Sequence, residues 1–139
     1  MTAMPASARA FVAEGHLAHL VTVNADGSPQ VSIVWVGLDG DELVSAHLHE
    51  SQKVRNVRRD PRTVISMESE VVQPNGLQQY LIAYGTARIT EGGAADLLQH
   101  LAHVYLGPEV VFPGVDDPPP GFILRFTVDR IGGIGPWAD

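Results

Sequence analysis

Cysteine is absent from the 139 residues, which excludes disulfides, Cys-ligated zinc and a cysteine nucleophile. Long apolar runs are absent too: nothing approaches the roughly 20 residues that a membrane-spanning helix requires. Met1 to Glu14 lacks a charged segment followed by a long apolar stretch and a cleavage site, so no secretory leader is expected and a cytoplasmic location is. Gly-x-Ser-x-Gly, the Walker loop, His-Glu-x-x-His and Gly-x-Gly-x-x-Gly are all missing. Gly132-Gly133-Ile134-Gly135 is glycine-rich but has no helical pattern behind it, so it is not a dinucleotide cradle. Lysine is scarce: Lys53 is the only one among nine basic residues.

The length suits one domain, 1–139, and an apolar content of 45% suits a globular core. A net charge of −7 disfavours a nucleic-acid or anionic-membrane surface. The charge is unevenly distributed. Lys53, Arg55, Arg58, Arg59 and Arg62 crowd into Ser51 to Arg62, where Asp60 is the only acid. A local basic segment in an acidic chain points to one specific anionic ligand.

The pattern along the chain predicts α+β architecture. Pro5 to Glu14 reads as a short helix, and His19 to Asn24 as a strand. Asp26-Gly27 marks a hairpin turn, followed by a strand over Gln30 to Leu38. Asp39-Gly40 turns into a third strand, Glu42 to His49, and the three are expected to form a meander. Gln52 to Arg59 is helical, capped by Ser51 and ended by Asp60-Pro61. Strands over Thr63 to Glu70 and Gln79 to Thr90 flank a Pro74-Asn75-Gly76 turn. Gly92 to Leu106 has strong helical periodicity. The proline-rich Gly107 to Gly121 reads as an exposed connection, Phe122 to Ile131 as a last strand, and Gly132 to Asp139 as a tail.

Three constellations carry candidate chemistry. In the first, Ser51, Gln52 and Lys53 occupy the opening turn of a helix, where free N–H groups and the helix dipole favour an anion. Lys53 and Asn56 share a face, while Val54 and Val57 can point into the core; a solvated amphipathic helix remains the alternative. In the second, Gln30, Ser32 and Val34 fall on one strand face and Val31, Ile33 and Trp35 on the other. The polar pair there suits the edge of a heteroaromatic ring, or an ordinary half-exposed strand. In the third, His47 and His49 share a strand face, and His100 and His103 a helix face. Neither pair has a convincing third and fourth metal ligand, so no metal site is assigned.

Ala18 to Ser32, with its Asp26-Gly27-Ser28-Pro29 turn, resembles the opening of the pyridoxamine 5′-phosphate oxidase-like split β-barrels. Ser51-x-Lys53-x-Arg55-Asn56-x-x-x-Asp60-Pro61-Arg62 resembles that family's phosphate-binding element, and Tyr84-Gly85-Thr86-Ala87 and Gly135-Pro136-Trp137 fit as well. The resemblance implies an antiparallel, FMN-binding-like split barrel with a few short helices. It also implies a homodimer with cofactors at its interface and an oxidoreductase acting on a small molecule. Within the family, the chain is more similar to the branch using the deazaflavin coenzyme F420. FMN enzymes carry a further basic motif around the third strand, and Asp41 to Leu48 has no basic residue. FMN, and a non-catalytic carrier, are the alternatives.

By the same resemblance, the cofactor ring lies against Gln30, Val31, Ser32, Val34 and Trp35. Its phosphate and tail lie near His47, Leu48, His49, Ser51, Gln52, Lys53 and Asn56. Gln78, Gln79 and Tyr80 approach from the partner subunit, although the aromatic that some deazaflavin relatives place near Gln78 is missing here. Hydride transfer is cofactor chemistry, so no catalytic acid or base is assigned to this chain.

Overall fold

The computed structural model describes residues 4–138; residues 1–3 and 139, the ends of the expected domain and tail, lie outside the described residues. The elements in order are α1 (Ala6–Ala13), β1 (Ala18–Val23), β2 (Pro29–Val34), β3 (Gly37–Asp39) and β4 (Glu42–His47). They continue as α2 (Gln52–Arg59), β5 (Arg62–Val72), β6 (Gln78–Glu91), α3 (Ala94–Tyr105) and β7 (Phe122–Ile134). The α+β architecture expected from the sequence is present. Seven strands form one antiparallel sheet in the order β2-β1-β5-β6-β7-β4-β3.

That order corrects two expectations. The run over residues 30–38 is not one strand, and no three-stranded meander forms. The chain breaks at Trp35-Val36, β2 pairs only with β1, and β3 pairs only with β4. β2 and β3 are the opposite edges of the sheet, so two residues carry the chain from one edge to the other. The sheet therefore curls until its edges meet. Tyr105 of α3 pins this seam: its hydroxyl accepts the Val36 N–H at 2.9 Å and donates to the His16 carbonyl at 2.7 Å. A β-branched run gives no sign of such a break, because the bond that fixes it comes from 69 residues away.

The expected tail is also partly strand. β7 continues to Ile134 because Gly132, Gly133 and Ile134 pair with Ile82, Leu81 and Tyr80 of β6. Opposite Tyr84-Gly85, β7 bulges by one residue, Asp129, and a side chain at Gly85 would collide with the Thr127 carbonyl. Glycine is required at that position by the close approach of the two backbones.

Alternation gives the sheet two distinct faces. The inner one buries Leu20, Leu43, Ile65, Met67, Leu81, Leu124 and Phe126. α1 closes one end with Phe11 and Val12, where Phe11 meets the Trp137 ring at 4.7 Å. On the outer face, the register aligns Val31, Val21, Val64 and Tyr84 in one row and Ile33, His19, Ser66 and Ile82 in the next. Val31 and Ile33 on the edge strand stay 58% and 52% exposed.

Candidate functional site

The edges of the curled sheet do not close completely, and a cavity of about 250 Å³ opens beside the seam. Ile33, Val34 and Trp35 line it from the end of β2, and Ala46 and His47 from the end of β4. Lys53 projects from α2, Leu98 from α3, and Leu17 and Phe112 from connecting segments. The wall is mostly apolar, with His47 and Lys53 as its titratable side chains.

α2 places those polar groups. Its inward face buries Val54 and Val57 completely, as the helical spacing predicted. That packing turns Lys53 toward the cavity. The ammonium is half-buried, and burial pulls its pKa below the ordinary lysine value. Among the described residues, no carboxylate lies within ion-pair distance of it. His47 faces the same cavity. Its burial first, and the neighbouring Lys53 charge second, lower its pKa to about 4, so it is neutral at pH 7. The Ser45 hydroxyl and His47 Nε2 are hydrogen-bonded at 2.8 Å.

The start of α2 has one unmet demand. Ser51 takes an extended N-cap conformation, yet its hydroxyl makes no capping bond. Its Oγ is buried and has no hydrogen-bond partner, the only such side-chain atom among the described residues. Buried hydroxyls are normally satisfied. The first-turn N–H groups of a helix also lack intrahelical partners. An orphaned hydroxyl, free amides and an unpaired lysine beside a neutral histidine form a donor set for an anion. A phosphate group fits these residues.

The rest of the basic segment is otherwise engaged. Arg62 pairs with Asp60 at 2.6 Å, and Arg58 with Glu91 at 3.2 Å. Arg59 donates to the Val23 carbonyl at 2.7 Å and to Asn56 Oδ1 at 2.9 Å. Arg55 donates to Gln52 Oε1 and to the Glu50 carbonyl.

The sequence-derived site residues therefore divide. Val34, Trp35, His47 and Lys53 meet at the cavity, with Ser51 at the adjoining helix cap. Asn56 is instead wholly buried. Its amide nitrogen lies within 3.1 Å of Thr22 Oγ1, Asn24 Oδ1 and Gln30 Oε1, and its oxygen accepts from Gln52 and Arg59. Asn56 thus fastens α2 to the β1–β2 hairpin through Thr22, Asn24 and Gln30, while Gln52 holds the Asn56 amide from within α2. Ser32 pairs with Leu20 in the ladder, while Val31 lies on the outer face. β4 ends at His47, so His49 does not share a strand face with it. Leu48 and His49 line a separate hollow with Glu50, Glu91 and Phe122. Gln78 lines another hollow with His16, His19 and Glu68, its amide donating to the Ser69 carbonyl. Tyr80 lies on the outer face, away from the cavity.

Leu17, Ala46, Leu98 and Phe112 line the cavity without having been singled out from the sequence, and Ile33 joins them from the strand whose other residues were. Phe112 had a usable signal: it follows Val110-Val111, an apolar run inside an otherwise proline-rich and acidic connection. Most of that connection is exposed, as expected, but Phe112 turns in from it to wall the cavity. The connection's far end is also fixed. Gly121, at φ +65°, passes so close to β4 that a Cβ would sit 2.6 Å from the His47 carbonyl.

Comparison with known proteins follows the same lines. The family model for pyridoxamine 5′-phosphate oxidase matches residues 4–135. A solved structure described as an F420 reductase is 26% identical, covers 89% of this chain and 94% of its own, and superposes with a TM-score of 0.72. A conserved hypothetical protein from Mycobacterium tuberculosis is 21% identical over 96% of this chain and 85% of its own, with a TM-score of 0.72. A heme binding protein from Mycobacterium smegmatis is 22% identical over 99% of this chain and 57% of its own, with a TM-score of 0.65. The last two show the shared fold alone.

Proposed function

Because the chain belongs to the pyridoxamine 5′-phosphate oxidase family, we propose that it is an oxidoreductase that uses coenzyme F420 to reduce a small unsaturated or heteroaromatic molecule. The observation that carries this reading is the cavity at the start of α2. There an unpaired Lys53, the orphaned Ser51 hydroxyl and neutral His47 adjoin an apolar slot. Lys53, Ser51 and the first-turn amides of α2 would hold the cofactor's phosphate. Val34 and Trp35 would bear on its ring, and the apolar wall would exclude water. The deazaflavin supplies the hydride; the protein supplies orientation and dryness. No carboxylate lines the cavity, and no residue is assigned as an indispensable acid: the proton that completes the reduction would come from solvent or substrate. The likeness to an F420 reductase and the absence of any lysine or arginine on β4 favour F420 over FMN.

The working unit is a homodimer. A cavity of about 250 Å³ is smaller than the roughly 300–1,000 Å³ of ordinary ligand sites, so a second copy would complete it. The apolar outer face reaches the cavity at Ile33, which belongs to both. A second copy seated there would bring its β5–β6 hairpin, with Gln78 and Tyr80, toward the neighbouring cavity.

Fluorescence titration with F420 and with FMN, followed by turnover of reduced F420 against enones, quinones and tetrapyrroles, tests the reading. Tight F420 binding with turnover of at least one acceptor class is expected. Preferential FMN binding would transfer the assignment to a flavin enzyme, and F420 binding without turnover would make the protein a carrier.

A further inference from the structure

The cavity's outer wall is aromatic and is held in place by one glutamine. Trp35 stands at the seam with one neighbour ring, Tyr105, stacked on it at 5.5 Å and 18°. Phe112 meets the same indole at 5.1 Å and 59°. Tyr105 is itself immobilised through its hydroxyl, which bonds to both Val36 and His16. The indole is thereby braced, and Phe112 is the ring contributed by the proline-rich connection. The backbone around it is clasped from α3: Gln99 Nε2 donates to the Val110 carbonyl at 2.7 Å, and Gln99 Oε1 accepts the Phe112 N–H at 3.1 Å. One side-chain amide thus replaces the backbone pairing that a connection without regular structure lacks. Leu98, next to Gln99 on α3, lines the cavity beside Phe112.

We infer that Phe112 is a specificity-determining residue that, with Trp35, selects planar conjugated rings, and that Gln99 is the positioning residue that sets it. This rests on the reading of the cavity as the ligand site and names its substrate class. Aromatic rings prefer offset or edge-to-face partners, and such contacts add to the gain from burial alone. A puckered saturated ring of the same polarity gains only the burial.

The test uses protein with and without saturating oxidised deazaflavin. Two probes share the para-dicarbonyl arrangement and the bicyclic carbon skeleton, 2-methyl-1,4-naphthoquinone and its ring-saturated analogue 2-methyldecahydronaphthalene-1,4-dione, and are titrated by calorimetry. Because Trp35 would also bear on the proposed cofactor's ring, a preference that vanishes once the deazaflavin is bound belongs to the cofactor slot and overturns the inference. The chain has no cysteine, so thiol addition does not consume the quinone. Wild type is expected to prefer the quinone by about tenfold or more, the range that one or two ring contacts supply beyond area. Phe112→Leu keeps the volume but removes the ring and should collapse that preference to about twofold, whereas Phe112→Tyr should retain it. Gln99→Leu should lower the preference without touching a cavity-lining side chain, with melting curves confirming that each variant folds. A wild type without preference, or an unchanged ratio in folded Gln99→Leu and Phe112→Leu, overturns the inference. If Phe112→Leu does not fold, Gln99→Leu and Phe112→Tyr decide. Deazaflavin titration is scored separately: its failure alongside an intact probe preference would remove the proposed cofactor and leave this inference standing.

Discussion

His47 connects pH, stability and ligand binding at a single residue. Its folded pKa of about 4 lies below the ordinary 6.5, so between those values the unfolded chain binds a proton that the folded one refuses. Stability is therefore fully present above pH 6.5 and declines as pH falls toward 4, by about 3 kcal/mol if the whole shift is realised. Denaturant melts of wild type and His47→Gln across this window should show the slope in the first and its reduction in the second. An anion bound beside Lys53 would offset that residue's charge, so the His47 pKa should rise when cofactor is added, as read by imidazole NMR shifts. Asn56 is a different case. Sequence reasoning set it beside the phosphate because it shares a face with Lys53, but helical spacing cannot tell an inward polar residue from a ligand-facing one. Buried among Thr22, Asn24, Gln30, Gln52 and Arg59, it is a structural joint. Asn56→Ala strands several buried partners and should cost about 2–4 kcal/mol in unfolding free energy.

At the scale of elements, α2 shows why a charge cluster overstates a binding site. Five basic residues mark the segment, yet Arg58 and Arg62 spend their charge on Glu91 and Asp60, and Arg59 is occupied by the β1–β2 hairpin. Only Lys53 both faces the cavity and lacks an acidic partner. Arg62→Ala should therefore leave cofactor affinity within about twofold of wild type, because an exposed ion pair is worth little. Lys53→Ala should weaken it by about tenfold or more, the usual cost of losing a charge-assisted bond. The helices and most strand ends were legible because their signals are local: an Asp-Gly turn, a proline stop, a 3.6-residue period; the side-chain cap expected of Ser51 was the exception, since its hydroxyl makes no capping bond. The break at Trp35-Val36 was not legible, because a hydroxyl from α3 holds it. Nor was the strand character of residues 132–134, whose glycines pair with β6 only once the sheet is assembled.

For the whole molecule, the curled sheet explains why the site lies where it does. Joining the two edges across two residues brings β2, β4, α2 and α3 to one opening, which no single segment could form. The same curl turns an apolar outer face to solvent. Local motifs, the Asp26-Gly27-Ser28-Pro29 turn and the Ser51 to Arg62 run, made the family legible; the arrangement of the proposed second copy was not, because exposed apolar rows carry no information about what covers them. Val31→Lys places a charge in the middle of the exposed edge row, outside the cavity lining. It should halve the mass seen in sedimentation and weaken cofactor binding together with it. A monomeric variant with undiminished affinity would show that one protomer holds the complete site.

The central claim is that α2 and Lys53 bind the phosphate end of a deazaflavin. It is tested most directly by titrating wild type and Lys53→Ala with the deazaflavin bearing its phosphate-containing tail and with the same ring lacking that tail. Wild type should favour the tailed form by about tenfold or more, and Lys53→Ala should erase most of that difference while binding the bare ring as wild type does. An equal preference for the tail in both proteins would contradict the claim.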